Sequence, residues 1–168
     1  EEEVGPEGAH VEPGVRSLAR ASQSGRAGVI GTVGTIASGA YQQAVAAFAP
    51  GLELTCAACP GFAEFVEAGD VDSEEVHVLA ERLLAPVRDA GVDTLVLGCT
   101  HFPPLAGAIR RVVGEGVALV DSAATTAEVV AKALKERGLE RPAGAGAPTH
   151  RFLATDAPDR FARVARHF

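Results

Sequence analysis

Short runs of consecutive apolar residues alternate with helix-like segments along most of this sequence. Runs that lack an alternating polar residue are typical of strands buried on both faces, as in parallel sheets. Strands that alternate with helices favour an architecture in which helices cover both faces of such a sheet. We therefore predict an α/β fold with a mostly parallel sheet, its strands falling at residues 27–32, 52–57, 92–98, 117–120 and 150–155.

The segments between these runs carry apolar residues at the three- and four-residue spacing of an amphipathic helix. The clearest predicted helix covers residues 73–90. Asp72 and Glu75 have the spacing of a capping box at its start, and Gly91 follows it as a left-handed cap. The other predicted helices cover residues 15–21, 36–48, 62–67, 105–113, 125–137 and 158–167.

Composition and charge argue against several classes of function. A formal net charge of -7 without a basic cluster argues against a nucleic-acid partner. The apolar runs fall far short of the roughly 20 residues that cross a bilayer, so no membrane partner is expected. Three cysteines, with no other sign of a disulfide-stapled domain, favour a reducing compartment, the cytoplasm. A small molecule is then the expected ligand, and the lack of any methionine predicts that the chain is a segment of a longer protein.

Polar side chains collect where the predicted strands end. Because ligands of open parallel sheets lie at the carboxyl ends of the strands, these side chains are the candidate site residues. They are Thr32 and Thr35 after the first strand, Cys99 to His101 after the third, and Asp121 with Ser122 after the fourth.

The GTVGTI stretch at 31–36 has neither the G-x-G-x-x-G nor the G-x-x-x-x-G-K-[ST] spacing of a nucleotide-binding loop. Two interpretations stay open for its hydroxyls. Thr32 and Thr35 either cap a helix at a tight turn, or they join free amides in binding a carboxylate.

Cys56 and Cys59 have the C-x-x-C spacing of redox and zinc sites. A zinc site needs two more ligands, and a Cys-x-His pair at a single strand end is an unusual source for them. We therefore interpret both residues as buried small thiols and predict no metal site.

Cys99 differs from the other cysteines because a hydroxyl and an imidazole follow it directly, in Thr100 and His101. Three interpretations remain open from the spacing: an acid/base thiol, a covalent nucleophile, or a cysteine of the core. Glu67 and Asp121 are carboxylates near element ends that either orient the imidazole or remain solvated charges.

Four stretches, in this order, resemble motifs of the glutamate racemases, a family of the aspartate/glutamate racemase superfamily. They are VIGTVGTIASGAYQ at 29–42, CPGFAEFVEAG at 59–69, TLVLGCTHFPPL at 94–105 and VDSAATTAEVV at 120–130. The resemblance covers residues 11–168, and it is most specific in the LGCTHFP motif.

The resemblance implies racemisation of glutamate without a cofactor, to supply D-glutamate for peptidoglycan in the bacterial cytoplasm. One thiolate removes the α-proton and a second thiol returns a proton on the other face. Cys99 matches the second catalytic cysteine of the family, assisted by His101 and tuned by Glu67. Thr100, His101, Thr32 and Thr35 match positions that bind the substrate. A homodimer is the assembly that the resemblance suggests.

The sequence also departs from the family, because the Asp-Ser-Gly-x-Gly-Gly loop, the Tyr-Gly pair and the Cys-Asn-Thr motif with the other cysteine are absent. We expect residues 26–121 to form a complete second lobe, and 1–25 and 122–168 to be parts of an incomplete first lobe. The chain alone is then expected to be inactive, poorly soluble and weakly ordered in its tail. The alternatives are a truncated, inactive fragment and a racemase of a related acid such as aspartate.

Overall fold

The computed structural model describes residues 11–142 and 144–167 of the chain. Within these residues four strands form one parallel sheet in the order β2-β1-β3-β4. The strands are β1 (Arg26–Gly31), β2 (Glu53–Ala58), β3 (Thr94–Leu97) and β4 (Ala118–Asp121). The prediction of a parallel sheet in an α/β fold is confirmed.

Eight α-helices accompany the sheet in the described residues. They are α1 (Glu12–Ala21), α2 (Val33–Ala37), α3 (Ala40–Phe48), α4 (Phe62–Ala68), α5 (Glu74–Asp89), α6 (Ala106–Val113), α7 (Ser122–Glu136) and α8 (Pro158–Val164). Single 3₁₀ turns at Pro103–Leu105 and Ala165–His167 precede α6 and follow α8. None of the helices described is both long and apolar enough to cross a membrane.

The two central strands, β1 and β3, are buried on both faces, which explains their uninterrupted apolar runs. Successive side chains of a strand point to opposite faces. On β3, Leu95 and Leu97 accordingly join a cluster with α4, α5 and α6, whereas Val96 joins a second cluster with α1 and α3. The two clusters hold the strand ends in fixed register.

Helix α5 buries the apolar face that its periodicity predicts, and Gly91 adopts the predicted left-handed conformation at φ 62. The predicted capping box is wrong by one residue. Ser73 is the N-cap and its hydroxyl accepts a hydrogen bond from the Val76 amide at 3.3 Å, because Ser73 is the last residue with extended backbone angles. Asp72 lies outside the helix and its carboxylate contacts His77 instead.

The predicted helix over 36–48 is two helices. Gly39, at φ 70, separates α2 from α3, and a left-handed residue cannot continue a right-handed helix. The first of the two begins at Val33, three residues earlier than predicted, because Thr32 caps it.

The predicted strand at 150–155 is wrong. The residues from 150 to 154 have no regular structure, and Phe152 and Leu153 are 78% and 81% exposed. A strand is stable only when its backbone pairs with a neighbour, and none of the described strands pairs with this segment.

Helix α1 lies within the segment predicted to be a remnant of the first lobe. In this structure its Val15 and Leu18 are fully buried against β3 and α3. Residues 1–10 of that segment lie outside the described residues. The division of residues 1–25, 26–121 and 122–168 between two lobes stays a prediction.

Candidate active site

The carboxyl ends of β1 and β3 meet at one edge of the sheet. Ile30 pairs with Leu97 across the two strands, and the Gly98 amide donates to the Ile30 carbonyl oxygen at 2.8 Å. The loop with Thr32 and the loop with Cys99 therefore start side by side. This is the edge at which ligands of parallel sheets bind.

An open cleft of about 910 Å³ lies at this edge. Thr35, Tyr41, Cys99 and Thr100 contribute to its lining, as do small residues and Val130 of α7. Three of the predicted site residues, Cys99, Thr100 and Thr35, thus share one cleft. Thr32 does not line it but contacts Thr35.

The two threonines of the first loop are hydrogen-bonded to each other. The Thr32 hydroxyl accepts from the Thr35 amide at 3.2 Å and lies 2.9 Å from the Thr35 hydroxyl. Thr32 is therefore the cap of α2, as one of the two interpretations holds. Binding of a carboxylate by the exposed side of Thr35 stays a prediction.

Cys99 is half-buried, and its Sγ lies 4.0 Å from Nδ1 of His101. The thiol sits directly after a glycine that has no room for a side chain. A Cβ at Gly98 would lie 2.8 Å from the Ile30 carbonyl oxygen and 2.9 Å from the Tyr41 hydroxyl. The strand end can approach β1 and α3 this closely only because residue 98 is glycine.

The other nitrogen of His101 faces Glu67. Nε2 of His101 lies 3.4 Å from Oε1 of Glu67, which is an ion-pair distance when the imidazole is protonated. The three side chains form a row from carboxylate to imidazole to thiol. Such a row can orient an imidazole for proton transfer. Asp121, the other carboxylate that the sequence offers, instead caps α7 by accepting from the Ala123 amide at 2.8 Å.

Cys56 and Cys59 lie apart from this row. Cys59 is 3% exposed, as predicted for a core thiol, whereas Cys56 is half-buried. Burial raises the pKa of Cys59 to about 12 and also raises the pKa of Cys56. Neither thiol lines the cleft. In the described part of the chain, no three His, Cys, Asp or Glu side chains are grouped closely enough to hold a metal ion.

Sequence reasoning missed two residues, one that lines the cleft with Cys99 and one that contacts Glu67. Tyr41 is 4% exposed, lines the cleft, and has a pKa raised to about 12 by burial and then by the charges of Cys56 and Cys99. Tyr41 is the single tyrosine of the chain and stands two residues after Gly39, so its position in the sequence was a usable signal. Arg160 of α8 donates a hydrogen bond to Glu67, which lies 93 positions earlier in the chain. No local sequence pattern predicts such a contact.

Comparison with known proteins places the chain beside amino-acid racemases. The family described as Asp/Glu/Hydantoin racemase matches residues 10–130. The glutamate racemase of Acidothermus cellulolyticus is 54% identical over 158 residues, which are 94% of this chain and 60% of that protein.

Two crystal structures are similar to the fold as well. A glutamate racemase isoform of Bacillus anthracis has a TM-score of 0.85 at 35% identity, covering 94% of this chain and 58% of that one. The glutamate racemase of Francisella tularensis, in complex with D-glutamate, has a TM-score of 0.82 at 27% identity, with the same two coverages of 94% and 58%. The chain therefore spans about three fifths of the length of these relatives.

Proposed function

This chain belongs to the Asp/Glu/hydantoin racemase family, as its motifs predicted, and from that premise we propose that it supplies the Cys99 side of a glutamate racemase active site. One observation carries the proposal. The thiol of Cys99 lines the cleft at the carboxyl end of β3 with the His101 imidazole 4.0 Å away. Glutamate is the proposed substrate because the similar curated proteins are glutamate racemases and the Francisella tularensis structure contains D-glutamate.

The proposed reaction is a proton transfer at the α-carbon. The thiolate of Cys99 takes the α-proton of L-glutamate, the C–H electron pair stays on carbon, and a second thiol gives a proton to the opposite face. For D-glutamate the roles reverse, and Cys99 is the donor. A thiol suits both roles, because its thiolate accepts a proton and its protonated form donates one.

The neighbours of Cys99 have separate proposed roles. His101 assists the proton transfer through Nδ1, and Glu67 orients the ring from its other nitrogen. The hydroxyls of Thr35 and Thr100 line the cleft and are proposed to bind the substrate carboxylates. Thr32 supports Thr35 through their hydroxyl contact. The proposed chemistry requires no cofactor.

The second thiol of the mechanism is proposed to lie on another lobe. Cys56 and Cys59 do not line the cleft, and burial raises the pKa of both, so neither suits the role. We propose that residues 26–121 form one lobe, whereas 1–25 and 122–168 contribute to the lobe that carries the other cysteine. The chain by itself is then inactive, and the whole enzyme is a cytoplasmic homodimer that supplies D-glutamate for peptidoglycan.

A chimera tests this proposal. It joins the chain to the part of the Acidothermus cellulolyticus racemase that the chain does not match. We expect it to racemise L-glutamate, followed in D2O by α-deuterium incorporation and optical rotation. Cys99→Ser should reduce the rate by about 10²- to 10⁴-fold, the usual contribution of a general acid/base.

Cys56→Ser is the matched control, because this thiol is half-buried and lies off the cleft. Racemisation that survives Cys99→Ser would contradict the proposal. Turnover of aspartate in place of glutamate would favour the related-acid alternative. Cys99-dependent racemisation by the unextended chain would mean that the second acid lies within these 168 residues.

A further inference from the structure

Arg160 connects the last α-helix of the described chain to the row of side chains at Cys99. Its Nη2 lies 2.8 Å from Oε2 of Glu67. The other carboxylate oxygen, Oε1, is the one that lies 3.4 Å from Nε2 of His101. Each oxygen of Glu67 thus has a different partner, one on α8 and one at the end of β3.

This division of the two oxygens matters because the Glu67 side chain is not held by burial. The side chain is 36% exposed and has several rotatable bonds, so orienting it toward His101 costs conformational entropy. A charge-assisted bond to a guanidinium is a strong and directional restraint. With Oε2 bound to Arg160, Oε1 is directed to the imidazole.

The ion pair also differs from an ordinary surface pair in its topology. It joins α4 and α8, whose contacting residues are 93 positions apart, rather than neighbours on one helix. Exposed pairs between neighbouring residues commonly contribute almost nothing. The pair of Arg160 and Glu67 also orients His101, so its effect is not limited to its own contribution to stability.

We propose that Arg160 is a positioning residue for the Cys99 site, which holds the Glu67 carboxylate so that its free oxygen faces His101. The placement of α8 is thereby coupled to the reactivity of the thiol. This inference deepens the proposed function and rests on the role given there to Cys99. It extends the row by one member, from thiol to imidazole to carboxylate to guanidinium.

The rate at which iodoacetamide alkylates Cys99 measures this coupling directly. The experiment uses the full chain at neutral pH, with site-resolved mass spectrometry to separate Cys99 from Cys56 and Cys59. Arg160→Gln should slow alkylation of Cys99 by about two- to fivefold, the range expected for loss of a partly exposed ion pair. Without Arg160 the Glu67 carboxylate is free to turn away from Nε2 of His101, so the imidazole that faces the thiol is less well oriented. Arg160→Lys, which keeps the charge, should restore part of the rate.

A double-mutant cycle separates positioning through Glu67 from a direct effect of charge. If Arg160 acts through Glu67, then Arg160→Gln should cause no further change when Glu67→Gln is already present. Arg163→Gln is the matched control, because it removes the same charge from an exposed position of α8. Circular dichroism of every variant establishes that the fold is retained.

Two outcomes would overturn the inference. One is an Arg160→Gln rate equal to that of the unmodified chain or of Arg163→Gln. The other is a loss of rate that persists undiminished in the Glu67→Gln background. Neither readout requires racemase activity, so failure of this inference is distinguishable from failure of the chimera to turn over glutamate.

Discussion

At the residue scale, the site depends on the missing side chain at Gly98 as much as on the side chains that surround the Cys99 thiol. Gly98 has no side chain, and the space that a Cβ would fill is taken by the Ile30 carbonyl and the Tyr41 hydroxyl. Burial, and then the charges of Cys56 and Cys99, disfavour the ionised form of Tyr41 and raise its pKa. The packing around Gly98 and the burial of the Tyr41 hydroxyl can each be tested separately, and neither test depends on the proposed reaction.

Gly98→Ala should lower the free energy of unfolding by about 1–3 kcal/mol, the usual cost of overpacking. The new methyl would lie within 3.0 Å of two atoms, one of which is a backbone oxygen that has little freedom to move. Urea denaturation measures the change. Gly107→Ala is the matched control, because a Cβ there meets nothing within 4 Å, and alanine favours the α6 helix. Equal stability of both variants would contradict the close approach described here.

The phenol of Tyr41 should titrate near pH 12 in the folded chain and near 10 in urea. The chain has one tyrosine and no tryptophan, so ultraviolet absorbance against pH follows this group alone. Because folding raises the pKa, the associated stability is fully present below about pH 10 and is lost as pH rises toward 12. A midpoint near 10 in a sample that circular dichroism shows to be folded would contradict the burial of this hydroxyl.

At the scale of elements, local sequence patterns were sufficient to predict the main helices and strands, but not the places where one segment meets another. The α5 helix and the β3 strand follow from periodicity and from a continuous apolar run, because neighbours in the chain determine both. The break at Gly39, the cap at Ser73 and the missing strand at 150–155 depend on how one segment meets another. Backbone pairing partners, in particular, are not encoded in the segment that needs them.

Asp93 lies between α5 and β3, and its carboxylate connects this segment to the loop before β1. It accepts a hydrogen bond from the Gln23 amide at 2.7 Å and another from the Ser24 amide. Partial burial opposes its ionisation, but amide and hydroxyl donors of residues 22–24 outweigh it and hold the pKa of Asp93 well below its usual range. The carboxylate thus fixes the entry of the chain into the central strand.

Asp93→Asn should lower the free energy of unfolding by about 1–2 kcal/mol at neutral pH, because bonds to a charged acceptor are lost from a partly exposed site. Because folding lowers the pKa of Asp93, its ionised carboxylate stabilises the folded chain fully above the ordinary pKa of 3.8. This stabilisation is lost as the pH falls below that value. The difference between the two proteins should therefore shrink in acid. Asp89→Asn, an exposed control, should change stability by less than about 0.5 kcal/mol. Unfolding curves at several pH values decide the matter.

At the scale of the whole molecule, the body around the sheet is well packed, whereas the chain after β4 exposes apolar side chains. Among the residues that the structure describes from α7 onward, the large exposed apolar ones are Val129, Val130, Leu134, Leu139, Phe152, Leu153 and Phe161. Exposed apolar surface of this kind favours association. It agrees with the proposal that residues 122–168 contribute to the lobe that carries the other cysteine, and with the low solubility expected from the sequence.

The isolated chain should self-associate as its concentration rises, followed by light scattering during size-exclusion chromatography. The double substitution of Phe152→Ser and Leu153→Lys should shift the distribution toward monomer, because it removes the two most exposed of these side chains. Val78→Lys, at an exposed position on α5, is the control and should leave the distribution unchanged. A sharp, single cooperative melt of a soluble monomer would contradict the prediction.

The sequence by itself determined the parallel α/β framework, the family, and the position of a thiol with an adjacent imidazole at a strand end. These features lie in runs of neighbouring residues, where periodicity, turn residues and motifs are legible. Only the tertiary structure showed that Glu67 lies against His101 while Asp121 caps α7. It alone brings Tyr41 beside Gly98 and Arg160 to Glu67. Those contacts join residues far apart in the chain, and packing of whole elements against one sheet brings them together.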